Sequence, residues 1–229
     1  MSRPVFEPEE LPVESTGIDL PPVAAERLTP AGLRARFIEP LPWDPEPQEA
    51  RVANLRDPRR AAVLMPLAMR DSGLTVLLTQ RADHLSNHAG QVSFPGGSLE
   101  PADPTPIAAA LREAHEEVNL DPSCVEVLGA LPDYLTGTGF RVTPVVGLVH
   151  EPFSLAADAL EVAEIFEVPL TFLMNPAHHQ VRVFRWEGGE RRFFAMPYPA
   201  AEAGGLAAPH FIWGATAGML RNFYRFLRA

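Results

Sequence analysis

Apolar and polar positions alternate with a helical period over residues 105–119. Apolar side chains recur at positions 107, 111, 114 and 118, which is the spacing of one buried helix face. Thr105 can cap the first turn, and Pro106 suits the first helical position because no backbone donor is needed there. Asn119 accepts the left-handed conformation that ends many helices. The pattern therefore predicts an amphipathic helix over 106–118.

Elsewhere the pattern predicts strands mixed with helices, and hence the α/β class. Helical spacing predicts a short helix over 28–37, a helix over 161–174 that Pro169 interrupts, and a C-terminal helix over 213–227. Apolar runs between turn residues predict strands over 61–69, 74–79, 125–131 and 142–149, and a hairpin of 181–186 with 192–196.

The polar face of the predicted helix carries three carboxylates. Glu113, Glu116 and Glu117 lie at i, i+3 and i+4, where each pair of like charges costs about 0.2–0.5 kcal/mol. Such a face is often only solvated surface. The alternative is a bound divalent cation, since hard ions such as Mg²⁺ prefer carboxylate oxygens. The upstream pair Gly96-Gly97 favours that alternative, because glycine lets the backbone approach a ligand closely. These residues predict a metal-dependent enzyme that acts on a phosphorylated substrate.

Residues 97–120 resemble the Nudix box, whose pattern is Gly-x5-Glu-x7-Arg-Glu-U-x-Glu-Glu-x-Gly-U with U aliphatic. The end of the pattern is in register at Arg112, Glu113, Ala114, Glu116, Glu117 and Leu120. Fourteen residues separate Gly97 from Arg112 where the pattern has thirteen, so one residue is inserted. Asp103 is the expected occupant of the first acidic position, with Glu100 as the alternative if the loop is rearranged. Asn119 replaces the final glycine and should preserve the helix end.

The segment before the box resembles the branch of the family that cleaves coenzyme A. That branch reads Leu-Leu-Thr-x-x-(Ser/Ala)-x3-Arg-x3-Gly-x3-Phe-Pro-Gly-Gly, which the chain matches at Leu77, Leu78, Thr79, Ala82, Gly90, Phe94, Pro95, Gly96 and Gly97. Ser86 stands at the arginine position, so Arg81 is a candidate substitute cation. Segments 161–170 and 212–217 also resemble this branch.

The resemblance implies a Nudix-type α/β/α sandwich with a mixed sheet, and a metal site. Glu113 and Glu117 are the expected principal ligands of Mg²⁺ or Mn²⁺, and Glu116 is expected to complete the cluster. The carbonyl group of Gly96 or Gly97 is expected to face the metal. All of these groups offer the oxygen atoms that such ions prefer.

The resemblance also implies catalytic and substrate-binding residues. Arg112 is expected to orient Glu116 from the second layer of the site. The expected proton acceptor is either Glu116 or Glu164. The residues expected to contact the substrate are Arg81, His88, Gly90, Phe94, Gly96 and Gly97.

Composition and charge bear on the partners, the cellular location and the domain organisation that we expect for the protein. The net charge of −10 argues against nucleic-acid binding, which needs a basic face. The longest apolar run, 61–69, is too short to span a membrane, and a single cysteine is typical of a cytoplasmic protein. Both a monomer and a homodimer are compatible with the sequence. Prolines and acids mark residues 1–50 as a loosely ordered extension with one short helix, and 51–229 as the Nudix domain.

The expected substrate follows from the resemblance alone. The coenzyme A branch cuts the pyrophosphate of its substrate to give adenosine 3′,5′-bisphosphate and 4′-phosphopantetheine. ADP-ribose, dinucleoside polyphosphates and oxidised nucleotides are the nearest alternatives, because the same box serves them. A non-hydrolytic module that senses a nucleotide is a further alternative, although a sensor has no need of a carboxylate cluster. A scaffold domain with an acidic helix would leave the glycine pair and the spacing as accidents.

Overall fold

The computed structural model describes residues 6–39, 41–47, 57–85, 89–199 and 209–229. The α-helices of these ranges are α1 Pro30–Ile38, α2 Pro106–Val118, α3 Leu170–Leu173 and α4 Gly214–Arg228. The strands are β1 Val13–Thr16, β2 Arg59–Arg70, β3 Gly73–Arg81, β4 Val92–Ser93, β5 Gly96–Ser98, β6 Val125–Ala130, β7 Tyr134–Leu135, β8 Phe140–Val149, β9 Val162–Pro169, β10 Gln180–Trp186, β11 Gly189–Tyr198 and β12 His210–Trp213.

The larger sheet is mixed, as predicted. Its strand order is β4-β3-β2-β8-β6, with β5 on β2, β7 on β8 and β9 on β3. The pairing of β2 with β8 is parallel over ten residue pairs from Arg59↔Phe140 to Ala68↔Val149, and the other pairings are antiparallel. The short strand β5 pairs with the first half of β2 and thereby places Gly96 and Gly97 at the centre of the sheet.

Helices cover both faces of this sheet, which confirms the α/β class. Ala62 and Leu64 of β2 pack in one cluster with Ala110, Ala114 and Val118 of α2. Ala61 and Met65 of the same strand pack in the other cluster with Leu220, Phe223 and Leu227 of α4. The strand is therefore apolar at consecutive positions because both of its faces are buried.

The predicted helix over 161–174 is wrong. Residues Val162–Pro169 form strand β9, and only Leu170–Leu173 form a helical turn. Strand β9 pairs with β3 from Thr75↔Pro169 to Arg81↔Val162, so its backbone groups find partners across the sheet. Pairing with β3 and burial of Val162 and Val168 override the apparent helical spacing of the segment.

A second sheet has the order β1-β10-β11-β12 and contains the predicted hairpin, β10 with β11. The described part of the N-terminal extension is packed rather than loose. Strand β1 pairs with β10, and α1 supplies the predicted short helix. Arg221 of α4 donates a hydrogen bond to Glu46, and Arg27 donates one to the carbonyl group of Leu227. The extension thus lies against the C-terminal helix.

Within the described ranges, no helix combines the length and the apolar character that a membrane crossing requires.

Candidate active site

Helix α2 begins and ends where the sequence predicts. The side chain of Thr105 accepts a hydrogen bond from the backbone N–H of Ala108 at 3.1 Å, and Pro106 occupies the first turn. Asn119 ends the helix with a left-handed φ of 54°. With its apolar face on β2, the helix presents its carboxylates to the corner formed by Gly96 and Gly97.

Glu117 is buried against this corner. Its side chain accepts a hydrogen bond from the backbone N–H of Gly96 at 3.1 Å, and Arg81 Nη1 lies 3.8 Å from its other oxygen. Only 4% of the residue is exposed. Burial raises the pKa of Glu117 to about 7, and the charges of Glu113 and Glu161 add to that rise, while the Gly96 N–H and Arg81 oppose it. A carboxylate in such a place is expected to have a cationic partner.

Glu113 lies directly over Gly97. A Cβ atom built on Gly97 would stand 2.4 Å from Glu113 Oε1 and 2.6 Å from its Cδ. Glycine is therefore required here because the carboxylate fills the space of a side chain. Burial raises the pKa of Glu113 as well, although Arg112 Nη1 lies 3.0 Å from Oε1 and acts in the opposite direction.

Arg112, on helix α2, is hydrogen-bonded to Asp103, the expected occupant of the first acidic position of the box. Its Nε and Nη2 donate to Asp103 at 3.1 and 2.9 Å, and its Nη1 donates to Glu116 at 2.8 Å. The backbone N–H of Glu100 donates to Asp103, so Glu100 supports that residue and does not replace it. The hydrogen bonds from Arg112 hold the pKa of Asp103 below its ordinary value. The predicted contact between Arg112 and Glu116 is present.

The three helix carboxylates do not converge as predicted. Glu113 and Glu117 approach the glycine corner, whereas Glu116 turns to Arg112 and leaves 56% of its side chain exposed. Over the described ranges, no three His, Cys, Asp or Glu side chains are close enough together to hold a metal ion between them. Arg112 Nη1 contacts both Glu113 Oε1 at 3.0 Å and Glu116 Oε2 at 2.8 Å, so these two carboxylates share a guanidinium as their partner.

The two downstream glutamates lie on different sides of the site. Phe166 and Val168 of β9 pack in the core on the α4 face, and Glu164 shares their parity and lies 3.7 Å from His210 Nε2. The structure therefore does not bring Glu164 to the α2 carboxylates. Glu161 lies just before β9, and its charge adds to the rise of the pKa of both Glu113 and Glu117.

The sequence pattern did not single out Glu161. The loop before β9 runs beside the end of α2, where Asp158 N–H donates to the carbonyl group of Glu117 and Ala82 N–H donates to that of Glu161. The available signal was its position at the start of the acidic segment 161–170, which the comparison with the coenzyme A branch had already selected.

The residues predicted to bind substrate divide into three groups. Arg81 and the two glycines of the corner adjoin Glu117, and Gly90 closes a turn with a φ of 67° and donates its N–H to the carbonyl group of Arg81. The predicted contact of Phe94 with the substrate is contradicted by the structure. Phe94 is 2% exposed and packs in the core on the α4 face. His88 lies outside the described residues.

Comparison with known proteins identifies the family. The family description NUDIX domain matches residues 58–187. The chain belongs to the Nudix family. It is 43% identical over 165 residues to the uncharacterized Nudix hydrolase NudL of Enterobacter sp. (strain 638). The aligned stretch covers 72% of this chain and 80% of that protein. It is 44% identical over 166 residues to NudL of Escherichia coli (strain K12), with the same two shares.

Solved structures of Nudix hydrolases are among the proteins that this chain resembles. A Nudix hydrolase from M. smegmatis, RenU, is 28% identical, covers 52% of this chain and 76% of that chain, and superposes with a TM-score of 0.44. The family match and the curated relatives make the protein a Nudix hydrolase, an enzyme of the class that cleaves pyrophosphate bonds in nucleotide derivatives and generally uses divalent metal ions.

The side chains at the corner formed by Gly96 and Gly97 suit a divalent metal ion. Glu113 and Glu117 offer hard oxygen donors beside Gly96 and Gly97. After burial, the charge of Glu113 adds to the rise of the Glu117 pKa, and the charges of Glu116 and Glu161 add to the rise of the Glu113 pKa. The guanidinium of Arg81 lies 3.8 Å from Glu117 and makes no close ion pair with it. A buried carboxylate without a close cationic partner, beside the half-buried carboxylate of Glu113, is a donor set that fits Mg²⁺ or Mn²⁺.

Proposed function

We propose that this Nudix hydrolase cleaves the pyrophosphate bond of coenzyme A or a close derivative, giving adenosine 3′,5′-bisphosphate and 4′-phosphopantetheine. The observation that carries the proposal is the coenzyme A signature over residues 77–97, which runs into the Nudix box without a gap. In the structure this segment folds back on itself, so that Gly90 bonds to the backbone of Arg81, and the guanidinium of Arg81 lies 3.8 Å from Glu117. Arg81 can therefore supply the cation whose usual position holds Ser86.

The residues at the glycine corner have separate proposed roles in metal and phosphate binding. The backbone N–H of Gly96 fixes Glu117, and the open face of Gly97 admits the carboxylate of Glu113. These two carboxylates are the proposed ligands of Mg²⁺ or Mn²⁺, with Glu116 as the third ligand once it leaves Arg112. The bound ion polarises phosphoryl oxygens and lowers the pKa of water. Arg81 lies beside Glu117, where it can bind a phosphate oxygen.

A carboxylate beside the ligands must accept the proton of the attacking water. Glu116 and Glu164 are the candidates from the sequence. Glu161 is a further candidate, because its charge adds to the rise of the pKa of both proposed ligand carboxylates. Glu164 faces His210 on the other side of β9. We therefore assign the proton acceptor to Glu161. The matched substitutions Glu161→Gln and Glu164→Gln test this assignment, with kcat expected to fall about a hundredfold in the first and less than threefold in the second. Equal losses would overturn it.

The substrate is tested by product analysis. Purified protein is incubated with coenzyme A, ADP-ribose and a dinucleoside polyphosphate, each with and without Mg²⁺, and both products are separated and quantified. Release of adenosine 3′,5′-bisphosphate and 4′-phosphopantetheine in equal amounts, only with the metal, supports the proposal. Hydrolysis of ADP-ribose without that of coenzyme A overturns the substrate assignment. Absence of turnover with every diphosphate favours a nucleotide sensor.

A further inference from the structure

The short strand β4 leads directly into the glycine corner. It stands at the end of the larger sheet, where it pairs with the last part of β3. Phe94 and Pro95 are the two residues between β4 and Gly96. Because the ring of a proline fixes its φ, this link has little backbone freedom with which to absorb a displacement of β4. The position of β4 therefore bears on the direction of the Gly96 N–H.

The carbonyl group of Val92, in β4, points away from β3. Backbone carbonyl groups alternate in direction along a strand of an antiparallel pair. Just before β4, the carbonyl group of Gln91 accepts a hydrogen bond from Arg81 N–H at 3.0 Å, on the side of β3. The carbonyl group of Val92 is thus directed to the opposite edge of β4. Val92 is buried, so this carbonyl group needs a donor from another part of the chain.

Thr216 supplies that donor. Its Oγ1 donates to the carbonyl oxygen of Val92 at 2.9 Å, across 124 positions of sequence, and Thr216 is itself only 5% exposed. Gly214, with a φ of 65°, turns the chain from β12 into α4 and so places Thr216 in the first turn of the helix. The bond attaches the outer edge of β4 to α4.

A second buried threonine holds β4 from the side of β3. Thr79 Oγ1 donates to the carbonyl oxygen of Ser93 at 3.2 Å and lies 3.1 Å from Ser93 Oγ. Strand β4 is therefore fixed between two hydroxyl groups, one from β3 and one from α4. Without the hydroxyl group of Thr216, the buried carbonyl group of Val92 loses its donor, and β4 is expected to shift until water can replace it.

The bond that such a shift would break is the one at the glycine corner. Gly96 N–H donates to Glu117 Oε2 at 3.1 Å, which is at the long end of the range for a hydrogen bond. A further displacement of roughly 0.5 Å would take the two atoms out of that range. The direction of the buried Glu117 carboxylate is thus sensitive to a small movement of β4.

We propose that Thr216 is a positioning residue of the active site, which fixes β4 through Val92 and thereby aims the Gly96 N–H at the Glu117 carboxylate. The inference rests on the proposed function in that Glu117 is taken as a ligand of the catalytic ion. A carboxylate that is no longer held by Gly96 binds the ion less tightly. The effect of losing Thr216 therefore falls on metal affinity and kcat, and not on the KM of the diphosphate substrate.

Thr216→Val tests the proposal because it keeps the shape of the side chain and removes the hydroxyl group. The first measurement is the NMR resonance of the Gly96 amide proton in the metal-free protein, since a bond to a carboxylate displaces that resonance. Thr216→Val is expected to move it towards its position in Glu117→Ala, which lacks the acceptor. The Kd of Mn²⁺, measured by calorimetry, should rise about tenfold, and kcat should fall by about the same factor at unchanged KM.

Two further variants complete the test. Thr216→Ser restores the hydroxyl group and should restore the Gly96 resonance, the Kd of Mn²⁺ and kcat. Thr75→Val is the matched control, because it removes a hydroxyl group that donates to Glu167 at 2.5 Å near the other end of β3. This control should leave all three properties as they are in the unaltered protein.

An unchanged Gly96 resonance or an unchanged Kd of Mn²⁺ in Thr216→Val would overturn the inference, with Thr216→Ala giving the answer should the valine variant unfold. Equal changes in Thr216→Val and Thr75→Val would overturn it as well, because they would indicate a general loosening of the fold. If the unaltered protein binds no Mn²⁺, the proposed metal ligands are rejected, and the Gly96 resonance alone decides the positioning role. Mn²⁺ binding without hydrolysis of coenzyme A would reject only the proposed substrate, and kcat is then measured with the diphosphate that the protein does cleave.

Discussion

Substitution of each glycine of the Gly96-Gly97 corner by alanine should give opposite phenotypes. A Cβ atom on Gly97 would lie 2.4 Å from Glu113 Oε1, at the mobile end of a side chain. A Cβ atom on Gly96 would lie 2.4 Å from the carbonyl oxygen of Ala62 and 2.6 Å from the Cα atom of Val63, both in the backbone of β2. The first clash is relieved by moving a carboxylate, and the second only by moving a central strand.

The magnitudes follow from these contacts. An ordinary contact needs about 3.5 Å, so the Glu113 carboxylate must move by about 1 Å, and a displacement of that size in an active site costs about a hundredfold in rate. Gly97→Ala should therefore lower kcat about a hundredfold at nearly unchanged stability. Gly96→Ala overpacks the paired strands β2 and β5, which costs about 3 kcal/mol and lowers Tm by about 6–12 °C for a chain of this size.

Steady-state hydrolysis with saturating Mg²⁺ and thermal unfolding by circular dichroism, on both variants, make the comparison. Wild-type kcat in Gly97→Ala would refute the reasoning that Glu113 must rest on the bare backbone of Gly97. A Tm loss in Gly97→Ala as large as that in Gly96→Ala would refute the distinction between a mobile carboxylate and a fixed strand. Val63→Ala, whose side chain is half-buried next to the corner, is the control for packing loss without a backbone clash.

Three further predictions concern charge. Glu117→Gln should lower turnover at least a hundredfold and abolish the rise of Tm that Mg²⁺ gives the unaltered protein, and either property retained would contradict the ligand assignment. Asp103→Asn should lower kcat about tenfold with Tm unchanged, because Arg112 loses the partner that positions it, and full activity would contradict that role. Burial lowers the pKa of His179 to about 4 from 6.5, so below pH 6.5 the unfolded chain binds a proton that the native side chain does not. This group should therefore reduce the free energy of unfolding by roughly 2 kcal/mol between pH 7.5 and 5, and urea unfolding of His179→Gln should lack that decrease.

Much of the catalytic helix follows from its sequence. The cap at Thr105, the stop at Asn119 and the stripe of carboxylates all depend on residues within a few positions of one another, and local geometry fixes them. The same holds for the hairpin of β10 with β11. The sequence predicted that the glycine pair lets a ligand approach the backbone closely. In the structure the group that lies against Gly97 is the carboxylate of Glu113.

Only the tertiary structure decided where the remaining side chains point. Residues Val162–Pro169 became a strand because β3 offered backbone partners about ninety residues earlier in the chain. That strand places Glu164 on the face of His210, and the loop before it holds Glu161, whose charge raises the pKa of Glu117. Phe94 belongs to the coenzyme A signature, but its side chain is buried in the core. A sequence pattern specifies which groups are available, but contacts between distant segments select the face and the rotamer of each one.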